Sequence, residues 1–223
     1  KFSNPLISFI HDVMFYILRM DHNNILGVVL AGGQSKRFGQ DKSQVRLQGT
    51  VMIDYILSEI IDEFPEILIV SNNDIEFKKA KHISKIEDYQ KNVGPLGGVL
   101  TAMKWVKDNN KNYKWISTFP SDTPFFKKKL LHEFFNNIKL NDSKLFFIKS
   151  NNTRHNIFGL WSVELLDQLE DDVVNKGERK VETWADKVGV STITINAGDT
   201  DPFFNINTKE DLTKAEDILN HHD

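Results

Sequence analysis

Several apolar runs in this chain carry no polar alternation. Residues 25–30 read ILGVVL, 66–72 EILIVSN and 113–119 YKWISTF. A strand covered on one face alternates; a β-branched run without alternation is covered on both. Between these runs, MIDYILSEIIDEF (52–64) and PLGGVLTAMKWVKD (95–108) repeat apolar residues at helical spacing, the second with a proline in its first turn. Strands buried on both faces and alternating with amphipathic helices imply a mostly parallel sheet with right-handed crossovers. Further strands are expected at KLFFIK (144–149), HNIFGLW (155–161) and STITIN (191–196), and helices near 163–174, 178–187 and 209–220. The polar links LNDSK and KSNNT read as hairpin turns. With no internal repeat and no long low-complexity tract, the expectation is one α/β domain.

The chain has 223 residues, enough for a substantial core, and a net charge of -3, which argues against a general nucleic-acid binder. It has no cysteine, so disulfides and thiolate metal sites are excluded; that fits a reducing, cytoplasmic setting. The apolar stretch FIHDVMFYILRM near the start is too short to cross a bilayer and lacks a small-residue cleavage site. Met20 lies just ahead of the first strand. Residues 1–22 are therefore read as an amino-terminal extension, with a natural start at Met20, and 23–223 as the domain. No amphipathic face is left unemployed, so a monomer is expected.

In open α/β sheets, ligands bind beyond the carboxyl ends of the strands. Here three strand ends converge: LAGGQSKRFGQDK (30–42), SNND (71–74) and FPSDTP (119–124). The first is a glycine-rich turn in which Gly32 and Gly33 permit positive φ and close approach of backbone N–H groups to an anion. Residues 30–46 carry Lys36, Arg37, Lys42 and Arg46 against the single acid Asp41. Such a turn suits a polyphosphate; a plain surface turn is the alternative. It is not a P-loop, because Gln40 and Asp41 separate Gly39 from Lys42, and the glycine spacing is not that of a dinucleotide fingerprint.

Asp122 follows a buried strand and suits Mg2+, which takes one or two carboxylates plus phosphate oxygens; Ser121 or Asp122 could instead cap a helix. Asp88 precedes Gly94-Pro95-Leu96-Gly97-Gly98 and could accept hydrogen bonds from nucleotide hydroxyls or base N–H groups. Asn205 and Asn207 alternate along FFNINT, sharing one face if that segment is a short strand; turn and cap roles before the last helix are the alternative, with Thr208 or Asn207 as the cap. Arg179 and Lys180 in GERKV suit phosphate or sit on a solvated helix face. His155 is either an acceptor contact or structural, and His221 and His222 have no metal spacing.

The glycine-rich turn resembles the signature of nucleotide-sugar and cofactor nucleotidyltransferases through Leu30, Ala31, Gly32, Gly33, Arg37, Gly39, Asp41 and Lys42. Within that group, residues 25–220 resemble the molybdenum cofactor guanylyltransferase family, through EDYQKNVGPLGG (87–98), FPSDTPF (119–125), KGERKVETW (176–184) and FFNINTKEDL (203–212). The resemblance implies a single-domain Rossmann-like nucleotidyltransferase fold and transfer of GMP from GTP to the molybdopterin cofactor with release of pyrophosphate. It implies Mg2+ on Asp122, and GTP against Leu30, Ala31, Gly32, Gly33, Lys42, Asp88 and Asp122. Arg37 and Lys42 would join Asp122 as the catalytic group. The family's polar residue after the second strand aligns best on Ser71, with Asn72 and Asn73 adjacent. Arg179, Lys180, Asn205 and Asn207 would lie on the cofactor side, and proteins that deliver the cofactor or mature molybdoenzymes would be partners. The competing readings are a cytidylyltransferase, a sugar-phosphate enzyme and a non-catalytic nucleotide- or cofactor-binding module. Cytidylyl relatives typically read Leu-Ala-Ala-Gly in the turn, so Gly33 and GPLGG favour guanine.

Overall fold

The computed structural model describes residues 22–32, 45–90, 93–139, 142–198 and 201–221. The expected amino-terminal extension lies almost entirely outside them. A seven-stranded sheet is formed by β1 (Ile25–Leu30), β4 (Ile67–Val70), β5 (Ile83–Ile86), β6 (Trp115–Pro120), β7 (Leu145–Ser150), β8 (Thr153–Ser162) and β9 (Ser191–Thr194). A separate small hairpin pairs β2 (Arg46–Leu47) with β3 (Thr50–Val51). The helices are α1 (Met52–Ile60), α2 (Pro95–Asp108), α3 (Lys128–Asn137), α4 (Leu166–Glu170), α5 (Val181–Val188) and α6 (Lys209–Asn220).

The strand order is β5-β4-β1-β6-β8-β7-β9, and β8 alone runs against the others. The expected α/β class and mostly parallel sheet are therefore present. β1 lies between β4 and β6, with Leu30 opposite both Val70 and Pro120, so three strands end level with one another. The twofold alternation of a strand explains why ILGVVL is apolar throughout. Ile25 and Val29 face α1 and α3, while Leu26 and Val28 face α2, α4 and α5. A third cluster joins Leu47 of the small hairpin to Phe125, Ile206 and Ala215 of α6.

Gly159 of β8 has no room for a side chain without its neighbours shifting. A Cβ there would lie 2.3 Å from Phe147 Cδ1 and 2.8 Å from the Phe146 carbonyl oxygen. Next to it the β7–β8 register jumps, from Phe147 opposite Gly159 to Ile148 opposite His155, so the intervening residues of β8 bulge. KSNNT is the expected hairpin turn, with Asn151 and Asn152 at φ 46° and 61°, the left-handed pair that a two-residue turn requires.

Three expectations change. LNDSK joins α3 to β7 rather than two strands, because the preceding KKKLLHEFFNN folds as a helix despite its lysine-rich start. FFNINT pairs with no strand. The expected helix 163–174 breaks into a 3-10 turn (Val163–Leu165), α4 and a wide π-turn (Asp171–Asn175). No helix among the described residues is long and apolar enough to cross a membrane.

Candidate active site at the carboxyl edge of the sheet

The ends of β1, β4, β5 and β6 are knitted together by backbone groups. Ala31 N–H donates to Val70 O (2.9 Å), Ser71 N–H to Ile86 O (2.9 Å) and Ser121 N–H to Leu30 O (3.3 Å). Ser71 is fully buried and its hydroxyl donates to Ala31 O at 3.1 Å. It holds the mouth of the glycine-rich turn from the carboxyl end of β4, where the nucleotide contact is expected.

Asn72 and Asp88 form a reciprocal pair. Asn72 Nδ2 donates to Asp88 Oδ2 at 2.7 Å, and Asp88 N–H donates to Asn72 Oδ1 at 3.0 Å. The carboxylate so fixed lies beside two glycines. A Cβ on Gly32 would be 3.4 Å from Asp88 Oδ2, and one on Gly98 would be 3.7 Å from Oδ1 and 2.8 Å from Leu30 Cδ2. Gly32 does not use the left-handed φ that a glycine permits; its contribution is space beside Asp88. Among the described residues of the site, Gly94 (φ 75°) is the left-handed glycine, and it turns the chain into α2. Burial pushes the Asp88 carboxyl above its ordinary range, and the Asn72 amide opposes that shift. The amino end of α2 points into the same crevice and favours negative charge there.

Asp122 lies two residues past the end of β6, after Ser121, and its carbonyl accepts the Ile206 N–H at 3.0 Å. It caps no helix: α3 starts at Lys128, whose N–H is taken by Glu59 of α1 at 2.8 Å. The bond to Ile206 brings the 204–207 segment beside Asp122. Asn205 and Asn207 are exposed on either side of buried Ile206, so they share one side although the segment is not a strand. Thr208, not Asn207, caps α6 in a reciprocal capping box with Asp211. Among the described residues no three or more His, Cys, Asp or Glu side chains cluster as a metal cage. A cation that takes most of its ligands from phosphate and water needs only one or two carboxylates, so Asp122 fits Mg2+.

Arg179 and Lys180 are exposed on the turn before α5. That turn abuts the start of α2, with the Arg179 carbonyl oxygen 4.0 Å from where a Gly94 Cβ would be. His155 is stacked on Phe203 (centroids 4.0 Å apart) with Nε2 2.8 Å from Ser150 Oγ; burial pushes its pKa down against the pull of Asp201. Gly33, Arg37 and Lys42 lie outside the described residues. Leu30, Ala31, Gly32, Asp88 and Asp122 are thus brought to one crevice, with Arg179 and Lys180 at its α2 rim and Asn205 and Asn207 beside Asp122. The Asn72–Asp88 pair was not predicted; the only sequence signal for it was a polar residue two positions past each of two adjacent strand ends.

Residues 27–189 match the model of the MobA-like NTP transferase domain. The chain belongs to this family. A molybdenum cofactor guanylyltransferase of Rhizobium rhizogenes is 32% identical over 197 residues, covering 86% of this chain and 90% of the relative. The solved molybdopterin-guanine dinucleotide biosynthesis protein A of Archaeoglobus fulgidus superposes with a TM-score of 0.67 at 21% identity, covering 88% of this chain and 99% of that one. The 4-diphosphocytidyl-2C-methyl-D-erythritol synthase of Anaerococcus prevotii gives 0.65 at 13% identity, covering 90% of this chain and 97% of that one. MobA-like domains therefore share their fold with an enzyme whose name carries a different base, and base choice has to be argued from the site.

Proposed function

We propose that this nucleotidyltransferase moves GMP from GTP to the terminal phosphate of the molybdopterin cofactor. An acceptor phosphate oxygen bonds to the α-phosphorus, the α–β phosphoanhydride bond breaks, and pyrophosphate leaves with the electron pair. The acceptor is already an anion, so no general base is needed and the chain contributes position and charge. Bound Mg2+ would neutralise phosphate charge at Asp122. Arg37 and Lys42 would hold the triphosphate against the turn that Ser71 supports, and Arg179, Lys180, Asn205 and Asn207 would meet the acceptor.

The observation that carries guanine over cytosine is the fixed carboxylate of Asp88 between Gly32 and Gly98. An ionised carboxylate only accepts hydrogen bonds. Guanine offers N1–H and its 2-amino group side by side, whereas cytosine and adenine set a ring-nitrogen lone pair beside their amino group. A polar site that leaves groups unpaired rejects the wrong ligand by up to roughly 10⁴-fold. The test is pyrophosphate release with molybdopterin and Mg2+, run with GTP, CTP and ATP in parallel. GTP should dominate; equal or better turnover with CTP would make this a cytidylyl enzyme, and release with none of them would make it a binding module.

A further inference from the structure

Asp172 is a carboxylate with 1% of its surface exposed, outside the crevice. Its Oδ1 accepts from Lys187 Nζ (2.6 Å) and Lys176 Nζ (2.9 Å), and its Oδ2 from the Trp184 indole N–H (3.1 Å). Lys187 foremost, with Lys176 and Trp184, holds its carboxyl below the usual range despite burial, so it is ionised. Replacing a buried ion pair with apolar groups is often neutral for stability, and a single fixed geometry is what such a pair can add.

The geometry here is that of a chain reversal. Asp172 lies in the π-turn after α4, where Lys176 N–H reaches back to Asp171 O (3.1 Å) and Glu178 N–H to Asp172 O (2.9 Å). Wide turns of this kind are frequent at functional positions. The chain then passes Gly177 (φ 73°) and enters α5, which carries Trp184 and Lys187. Asp172 thus grips both arms of the reversal, by its carbonyl on one side and its carboxylate on the other. Three further bonds close the tip. Arg179 Nη1 donates to Val173 O at 2.8 Å, and Glu178 Oε1 accepts the N–H groups of Arg179 and Lys180, each at 2.8 Å. The tip is the segment that abuts Gly94 at the start of α2.

We propose that Asp172 is a positioning residue for acceptor binding: it holds the Glu178–Lys180 tip against α2 so that the cationic side chains there meet an anionic, phosphate-bearing acceptor. This rests on the reading that Arg179 and Lys180 face the acceptor. The carboxylate touches no substrate; removing its charge releases Lys187 and the indole N–H and leaves Lys176 to Asp171 alone, and the tip loses its registry with the rim.

The experiment uses the full chain, varies GTP and molybdopterin separately in steady state, and measures molybdopterin binding by calorimetry without GTP. Asp172→Asn should raise the acceptor KM and Kd roughly 10-fold, within the scale that a small misplacement of binding groups produces, with the GTP KM within about twofold of the unmodified protein. Lys176→Met removes one arm from an exposed position and should move the acceptor constants the same way by roughly threefold, so the idea stays testable if Asp172→Asn misfolds. Lys180→Ala separates the two levels. If it raises the acceptor constants while Asp172→Asn and Lys176→Met do not, the positioning role is wrong and the acceptor-side reading stands. If Lys180→Ala changes nothing, the acceptor-side reading falls and the inference with it. A lower melting temperature with unchanged acceptor constants, or equal rises in both KM values, would also overturn it.

Discussion

Replacing Asn72 with alanine removes both bonds of the pair at 2.7 Å and 3.0 Å while leaving the crevice wall in place. Asn72 is exposed, so water takes over the freed groups and the stability cost should be small, about 1 kcal/mol. The effect on nucleotide binding is larger, because Asp88 must then be ordered by the ligand itself. Immobilising one side chain costs about 0.5–1.5 kcal/mol, and 1.4 kcal/mol is a tenfold change, so GTP affinity should fall roughly 2- to 12-fold. A pH term adds to this. Burial raises the Asp88 pKa and the Asn72 amide is what opposes it, so the variant's carboxyl takes a proton at higher pH than the natural one. The protonated group turns from acceptor to donor. GTP affinity should therefore weaken as pH falls through the raised pKa, and the weakening should begin at higher pH in Asn72→Ala. Calorimetric titration of GTP at neutral and mildly acidic pH, with CTP as the control, reads both effects. Unchanged GTP affinity would show that the Asp88 carboxylate does not read the nucleotide. A loss beyond roughly 10³-fold would show that Asn72 contacts the base itself, since that is the scale of an unpaired reading group.

Two other substitutions bear on separate parts of the molecule. Asp122→Asn should keep its fold, because the bond from Ile206 goes to the backbone carbonyl, yet slow turnover by about 10²–10³-fold, as removal of a preorganised charge contact does; single-turnover pyrophosphate release within a fewfold of the unmodified protein would remove Asp122 from the chemistry. Gly159→Ala should cost about 3 kcal/mol, the upper end of ordinary overpacking, because one of the atoms in its way is backbone and the other belongs to fully buried Phe147; an unchanged urea midpoint would refute that.

The central strands were readable because burial on both faces leaves mostly apolar residues to choose from: β1 and β4 appear as uninterrupted runs, and β6 as a run broken only by the buried Ser117 and Thr118. The edge strand β5 was not, since its residues ISKI are half-buried and mix lysine with isoleucine. α3 was hidden by three consecutive lysines ahead of its apolar face. In the site, Asp88 and Asp122 stood out as carboxylates beside strand ends. What the sequence could not carry was their support. Ser71 turning inward, Asn72 reaching Asp88 sixteen positions away and Ile206 binding Asp122 are tertiary pairings with no local spacing. The π-turn is equally silent, because an extra residue in a helical turn leaves the apolar pattern nearly intact.

On the proposed reading, the reversed strand β8 bears on how one sheet edge would serve two ligands of different shape. The donor half would rest on parallel strand ends, where Gly32 and Gly98 leave space beside Asp88. Beyond β6, α3 crosses over to the parallel strand β7, and the β7–β8 hairpin, turning at Asn151 and Asn152 on this edge, returns β8 antiparallel between β6 and β7 and sets His155 near the rim. There the imidazole stacks on Phe203, and burial lowers its pKa so that it sits there as an uncharged ring. Phe203 is in turn packed edge-on against Phe158 in the bulge of β8. The segment that follows is therefore gripped twice, by the stacked ring at Phe203 and by the Asp122 carbonyl at Ile206, and its two exposed asparagines have little freedom to move relative to Asp122. The bulge of β8 thus carries Phe158 into the aromatic stack with Phe203, which His155 covers from its other side.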